Sequence, residues 1–169
     1  VLVLCAVAVS VCTAALKNYQ AQERSIRQTR QLYQAEGEIE KFVALAEDVS
    51  SLQDSAEYDS EDDAKAEAKA AYVEHLKTLA GGCTLPPDGT DTDVEFCTFT
   101  LIRANDAVRI ETKLKMELKY EVKKIKKQEP QPDGTTKEII KYTAKVSKAA
   151  HSYSTYTITH LTAEGETSG

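Results

Sequence analysis

The chain has 169 residues, 28% of them charged, no Trp, four Cys and a formal net charge of −6. That length holds one ordinary domain and an anchor, but not comfortably two cores. The acidic balance excludes a general nucleic-acid binder, which needs a basic face to displace counterions, and the absence of a Cys-x-x-Cys or Cys/His cluster excludes a zinc framework.

The first element is apolar. Residues Val1–Leu16 carry no charge, and only Ser10 and Thr13 are clearly polar. Three readings fit: a signal peptide with small residues near Ala14 and Ala15, a buried core helix, or a membrane-spanning helix that continues into the protein. Sixteen residues rise about 24 Å as a helix, short of the roughly 30 Å bilayer core, so a full span calls for apolar residues ahead of Val1. Cys5 and Cys12 lie on this segment as small hydrophobes.

No helix breaker follows. Residues 17–53 are rich in Gln, Glu, Arg and Ala, contain only Gly37 among glycines and lack Pro. Ile26, Tyr33, Ile39, Phe42, Val43, Ala46, Val49 and Leu52 give a helical apolar stripe, so anchor and amphipathic stretch read as one helix to Leu52. Residues 54–63 carry six carboxylates and no cation, and read as an acidic linker. A second helix follows, capped by Ser60 with acidic residues in its first turn and ended by Gly81-Gly82. Its apolar face is Ala68, Ala71, Tyr72, His75, Leu76 and Leu79.

Beyond Gly82 the period changes to two. Pro86-Pro87-Asp88-Gly89 is a turn, Val94–Ile102 is β-rich, and Asn105-Asp106 marks a reversal. From Val108, apolar residues alternate with charged ones: Val108, Ile110, Leu114, Met116, Leu118, Tyr120 and Val122 share one face with Thr112. Only a sheet with one buried and one wet face generates that pattern. Pro130–Thr135 is a hairpin tip. The return strand carries Ile140, Tyr142, Ala144 and Val146, and Tyr153–Leu161 reads as a further strand. The expected class is α+β, the long N-terminal helix packed on a small antiparallel sheet, with residues 64–169 forming the second helix and sheet domain.

Candidate chemistry is sparse. No nucleophile–base pair, phosphate loop or metal signature is present, so no enzyme, cofactor or metal is expected. His75 reads as a packed residue, and His151 and His160 flank a Ser/Thr/Tyr-rich strand. Asp88, Asp91 and Asp93 offer calcium-type oxygens without the order of a calcium loop. Cys83 and Cys97 are either two thiols or a disulfide closing a loop worth roughly 3 kcal/mol. Lys123, Lys124, Lys126 and Lys127 form the dense basic cluster, a candidate contact for DNA or another anionic polymer or an edge-strand guard.

The stretch Leu32-Tyr33-Gln34-Ala35-Glu36-Gly37-Glu38-Ile39-Glu40, behind an apolar start, resembles type IV pilins and their minor and pseudopilin relatives. It is similar to the Tyr-x-Ala-Glu-x-Gly-Ile-Glu signature of PilX-type N-terminal segments in Gram-positive pilin-like proteins, with Glu38 inserted before Ile39. The resemblance covers roughly the first 45 residues. It implies storage in the cell membrane and assembly with other pilin subunits into a cell-surface filament. The contacts would run through the apolar helix that bears Val1, Leu2, Val3, Leu4, Val7, Val9, Val11 and Leu16. Major pilins carry Glu at the fifth mature position; Cys5 stands at residue 5 here, so by the resemblance either the numbering does not begin at the mature end or the chain is a minor subunit. Lys17, Arg24, Arg27 and Arg30, opposed by Glu23 alone, would by the positive-inside tendency place that side in the cytoplasm, opposite to a pilin. A membrane-anchored adhesin or binding module that does not polymerise is the alternative expectation, with recognition carried by the Pro130–Thr135 hairpin and the loop between Cys83 and Cys97.

Overall fold

The computed structural model describes residues 2–79, 81–85, 93–132, 135–161 and 167–168, and side chains within them from Ser10 to Leu161. Helix α1 (Leu2–Glu47) is followed by α2 (Glu61–Thr78), β1 (Phe96–Ala104), β2 (Val108–Pro130), β3 (Thr136–Leu161) and the two-residue β4 (Thr167–Ser168). The strands lie in the order β1-β2-β3-β4, the three long ones antiparallel, so the α+β class holds.

The chain forms two compact units. One comprises α1 through Glu38, Arg103–Ile110 and the residues from Ile158. Within it Asn105 shapes the β1–β2 reversal: its Oδ1 accepts the N–H groups of Ala107 (3.1 Å) and Val108 (3.0 Å), and its Nδ2 donates to the Gln31 carbonyl. The expected turn at Asn105-Asp106 is therefore a side-chain-capped one. β4 pairs antiparallel with the end of β3, His160 opposite Ser168.

The other unit, Ile39–Ile102 with Glu111–Thr157, holds most of the core. The last turns of α1 bury Ile39, Phe42, Val43 and Ala46, and Phe42 meets Phe99 with ring centroids 5.8 Å apart. Helix α2 buries Ala64, Ala68, Tyr72 and Leu76 at a strict spacing of four, and the Tyr72 hydroxyl donates to the Ala46 carbonyl (2.9 Å). Burial pushes the Tyr72 phenol far up, so it stays a neutral donor. On β2, Leu114, Met116 and Leu118 are buried and alternate with outward residues as expected, and the row fades through Tyr120 and Val122. Thr112 sits in that buried row because its hydroxyl donates to the Thr155 carbonyl (2.8 Å).

Five expectations need correction. Helix α1 ends at Glu47 rather than near Leu52, because the Asp48 carboxylate accepts the Ser50 N–H and offers the backbone a turn instead. Ile26 and Tyr33 are 63% and 68% exposed, so the buried stripe of α1 starts at Ala35. Ala71 is exposed, and α2 ends at Thr78, ahead of Gly81 and Gly82 with φ of 85° and 59°. The acidic linker is not loose: Ser55 donates to Ala144 and Tyr58 bridges Tyr142, which ties the segment to the β3 edge. The two expected C-terminal strands are one, because no Gly, Pro, Asn or Asp lies between Val146 and Tyr153.

β3 is nonetheless irregular. Its buried apolar residues run Ala144, Val146, then Ala149, a step of three where a regular pleat gives two, and Thr143 is buried beside Ala144. Bonds from Gln131 to Thr135 and from Leu161 to Ala107 close the β2–β3 ladder, whose β3 side is two residues longer. β-Bulges account for both features.

Candidate functional site

On α1 every residue from Ser10 to Arg30 is exposed. Val11 (62%), Leu16 (57%), Tyr19 (65%) and Ile26 (63%) are apolar or aromatic residues of that stretch. Among the described residues no helix is long and apolar enough to cross a membrane. Of the residues expected to form the filament helix, Leu2, Val3, Leu4, Val7 and Val9 lie in α1 with side chains outside those described, as does Cys5, while Val1 lies outside the described residues altogether. Cys12 is an exposed thiol.

The basic cluster near the hairpin is largely neutralised from within. Lys123 pairs with Asp54 (2.7 Å), Lys126 with Glu138 (2.8 Å) and Lys127 with Glu57 (2.5 Å). Lys141 adds a pair with Asp59. Lys123 holds the Asp54 carboxyl below its usual range by hydrogen bonding, and Asp54 raises Lys123 in return. Lys124 is exposed and without an ion pair among the described residues. The acidic run and the basic cluster, read separately from the sequence, are thus two halves of one charge-matched surface. A site whose cations already hold carboxylates must exchange those pairs to bind an anionic polymer, which weakens the case for capture there.

A third feature lies on β3. His151, Tyr153 and Tyr156 form a row of edge-to-face rings, with centroids 5.3 and 5.7 Å apart. The two tyrosines are 44% and 42% exposed. Residues three apart face opposite ways in a regular strand, so the irregular pleat is what brings Tyr153 and Tyr156 together. Period-two reading of the sequence therefore missed this row. Glu47, at the end of α1, accepts the His151 backbone N–H (3.1 Å) and pairs with its Nδ1 (2.7 Å). The hydrogen bond from His151 lowers the Glu47 carboxyl, and the nearby Glu40 and Glu47 charges add to burial in raising the Tyr153 phenol.

The remaining candidates stay apart. His75 is half-buried, with Nε2 3.3 Å from the Leu45 carbonyl, in keeping with a packed residue. His160 lies on the β3 segment paired with β4, away in sequence from His151, and no metal-ligating cluster occurs among the described residues. Asp93 accepts the Glu95 N–H (2.9 Å); Asp88 and Asp91 of the calcium expectation lie outside the described residues, as does the Pro86–Gly89 turn. Cys83 is a half-buried thiol and Cys97 a buried one. An open concavity of about 430 Å³ between α2, β1 and β2 is lined by Glu61, Lys65, Phe96, Glu117 and Lys119 among others, and it gathers no nucleophile–base pair.

Comparison with protein-family models, curated proteins and solved structures finds no match to this chain. The features that bear on function are therefore the exposed α1 stretch, the paired charges of the sheet and the aromatic row.

Proposed function

We propose that this chain is a structural subunit, a minor pilin-like one, of a type IV pilus or pseudopilus, held at the cell membrane and assembled through packing of N-terminal helices. One observation carries the reading. Helix α1 runs unbroken for 46 residues, and the whole of its Ser10–Arg30 stretch is exposed with apolar side chains among the polar ones. A helical stretch exposed along its whole length is marginal in water, because packing supplies most helical stability. Exposed apolar surface on such a stretch calls for a cover. Equivalent helices of further copies supply it in a filament, and lipid supplies it beforehand. The Tyr33–Glu40 resemblance supports the same reading, and no catalytic step is part of it.

A chain beginning at Lys17 tests the proposal. It is expected to keep its sheet and core, read by circular dichroism and a cooperative melt, yet fail to enter filaments when supplied with the full chain. Incorporation of that shortened chain would count decisively against the reading. The adhesin alternative draws support from the exposed Tyr153–Tyr156 row, a ready contact surface. It predicts that Tyr153→Ser and Tyr156→Ser abolish surface adhesion while the protein stays monomeric in the membrane.

A further inference from the structure

We infer that the aromatic row of β3 and Glu40 of α1 form a binding corner for a compact quaternary ammonium ion of the choline type. The site goes beyond the assembly reading and stands whether or not copies pack through α1.

All of its parts belong to one compact unit, Ile39–Ile102 with Glu111–Thr157. Glu47 fixes one end of the row, because its carboxylate accepts the His151 N–H and meets Nδ1 of the same side chain. Glu40 stands seven residues before Glu47, two turns back on the same side of α1 and about 10 Å along the axis. Burial raises the Tyr153 phenol, and the Glu40 and Glu47 charges raise it further, so the charges that act on the row are both negative. Glu40 is exposed and holds no ion pair among the described residues, whereas Glu47 is engaged by His151. Lys148 stands by Glu47 instead, adding to the His151 hydrogen bond that lowers it, and Lys41 lies about 100° round the helix from Glu40. Residues 149–159 carry no Lys, Arg, Asp or Glu.

The ring geometry selects the ligand. Tyr153 stands at 78° to His151 and at 87° to Tyr156, with centroids 5.3 and 5.7 Å away. Perpendicular rings make two walls of a corner, and a cation seated in it lies within about 6 Å of both tyrosine centroids, the reach of a cation–π contact. They make no flat platform of the kind on which a sugar ring stacks. The negative ring faces and the Glu40 carboxylate together favour positive charge, and disfavour a ligand that carries phosphate or carboxylate beside its nitrogen. A quaternary nitrogen has no N–H to leave unpaired, so ring faces satisfy it where the strongly hydrated ammonium of lysine would lose its water.

Choline chloride titrated into the full chain in octaethylene-glycol dodecyl ether micelles tests the site, read by shifts of the Tyr153 and Tyr156 ring resonances and by saturation transfer to the choline methyl groups. Choline is expected to bind about fivefold or more tighter than its neutral carbon isostere, in which a tert-butyl group replaces trimethylammonium. Tyr153→Leu and Tyr156→Leu are each expected to weaken binding about fivefold, and the matching Phe variants to keep it, because the ring face and not the hydroxyl makes the contact. Glu40 is exposed, so Glu40→Gln spares the fold and reads the charge alone; it should weaken binding about threefold, an effect that added salt erases. Equal affinity for choline and its isostere, unchanged affinity in the Leu and Gln variants, or saturation by maltotriose in place of choline would overturn the site. Tighter binding of phosphocholine than of choline, or capture by phosphatidylcholine vesicles that the Leu variants lose, would overturn the choice of a free cation and give the row to lipid headgroups.

Discussion

Phe42 joins the end of α1 to β1 through its contact with Phe99 and is 2% exposed. Truncating it to Ala removes a large buried ring that its neighbours cannot fill, and Phe42→Ala is expected to cost about 3–5 kcal/mol in chemical denaturation. Glu47 and Asp54 make the fold sensitive to acid with a definite sign. Both carboxyls are lowered by hydrogen bonds, from His151 and Lys123 respectively, so each binds its proton less readily than in the unfolded chain. Their stabilising contribution is complete above the ordinary carboxylate range near about pH 4, and is lost as pH falls through their lowered values. Urea midpoints should therefore drop below about pH 4, and the slope should flatten in Glu47→Gln. Lys123 and Lys141 are raised, so their contribution is present below the ordinary lysine value and fades as pH climbs through the raised one.

Gly37 is the glycine inside α1, and a Cβ placed there meets nothing within 4 Å. Gly37→Ala is expected to stabilise the fold by about 0.5–1 kcal/mol, seen as a higher melting temperature. Element by element, the sequence was most legible where one physical cause dominated. The alternation of β2 was readable because one face is buried and the other wet, and the Ser60 cap was readable because the Ser side chain accepts the Asp63 N–H. The stop of α1 was not, since Asp48 works through a local turn that competes with an otherwise good helical pattern. The Tyr153–Tyr156 row was hidden because bulges break the period on which strand reading depends. The order of residues 54–58 was hidden too: the six carboxylates of residues 54–63 read as self-repelling until the strand lysines facing Asp54, Glu57 and Asp59 are known.

Across the whole molecule, charge and exposure divide the chain by task. The strands and the 54–63 segment neutralise one another through Asp54–Lys123, Glu57–Lys127 and Asp59–Lys141, pairs that are individually weak at an exposed surface and act together as a fastening. Reversing Lys123 and Lys127 to Glu should release that segment, read as faster amide exchange at Ser55 and Tyr58, whose N–H groups donate to Ala144 and Tyr142. Among the described residues α1 leaves the apolar and charged side chains of Ser10–Arg30 exposed, and the proposed function follows from that exposure. Single cysteines at Val11, Leu16, Tyr19 and Ile26, each in a full chain whose own four cysteines are replaced by Ser and oxidised within membranes, measure it most directly. Disulfide-linked dimers at those positions are the predicted result; monomers at all four, under conditions where the protein is folded and present at the cell surface, would contradict it.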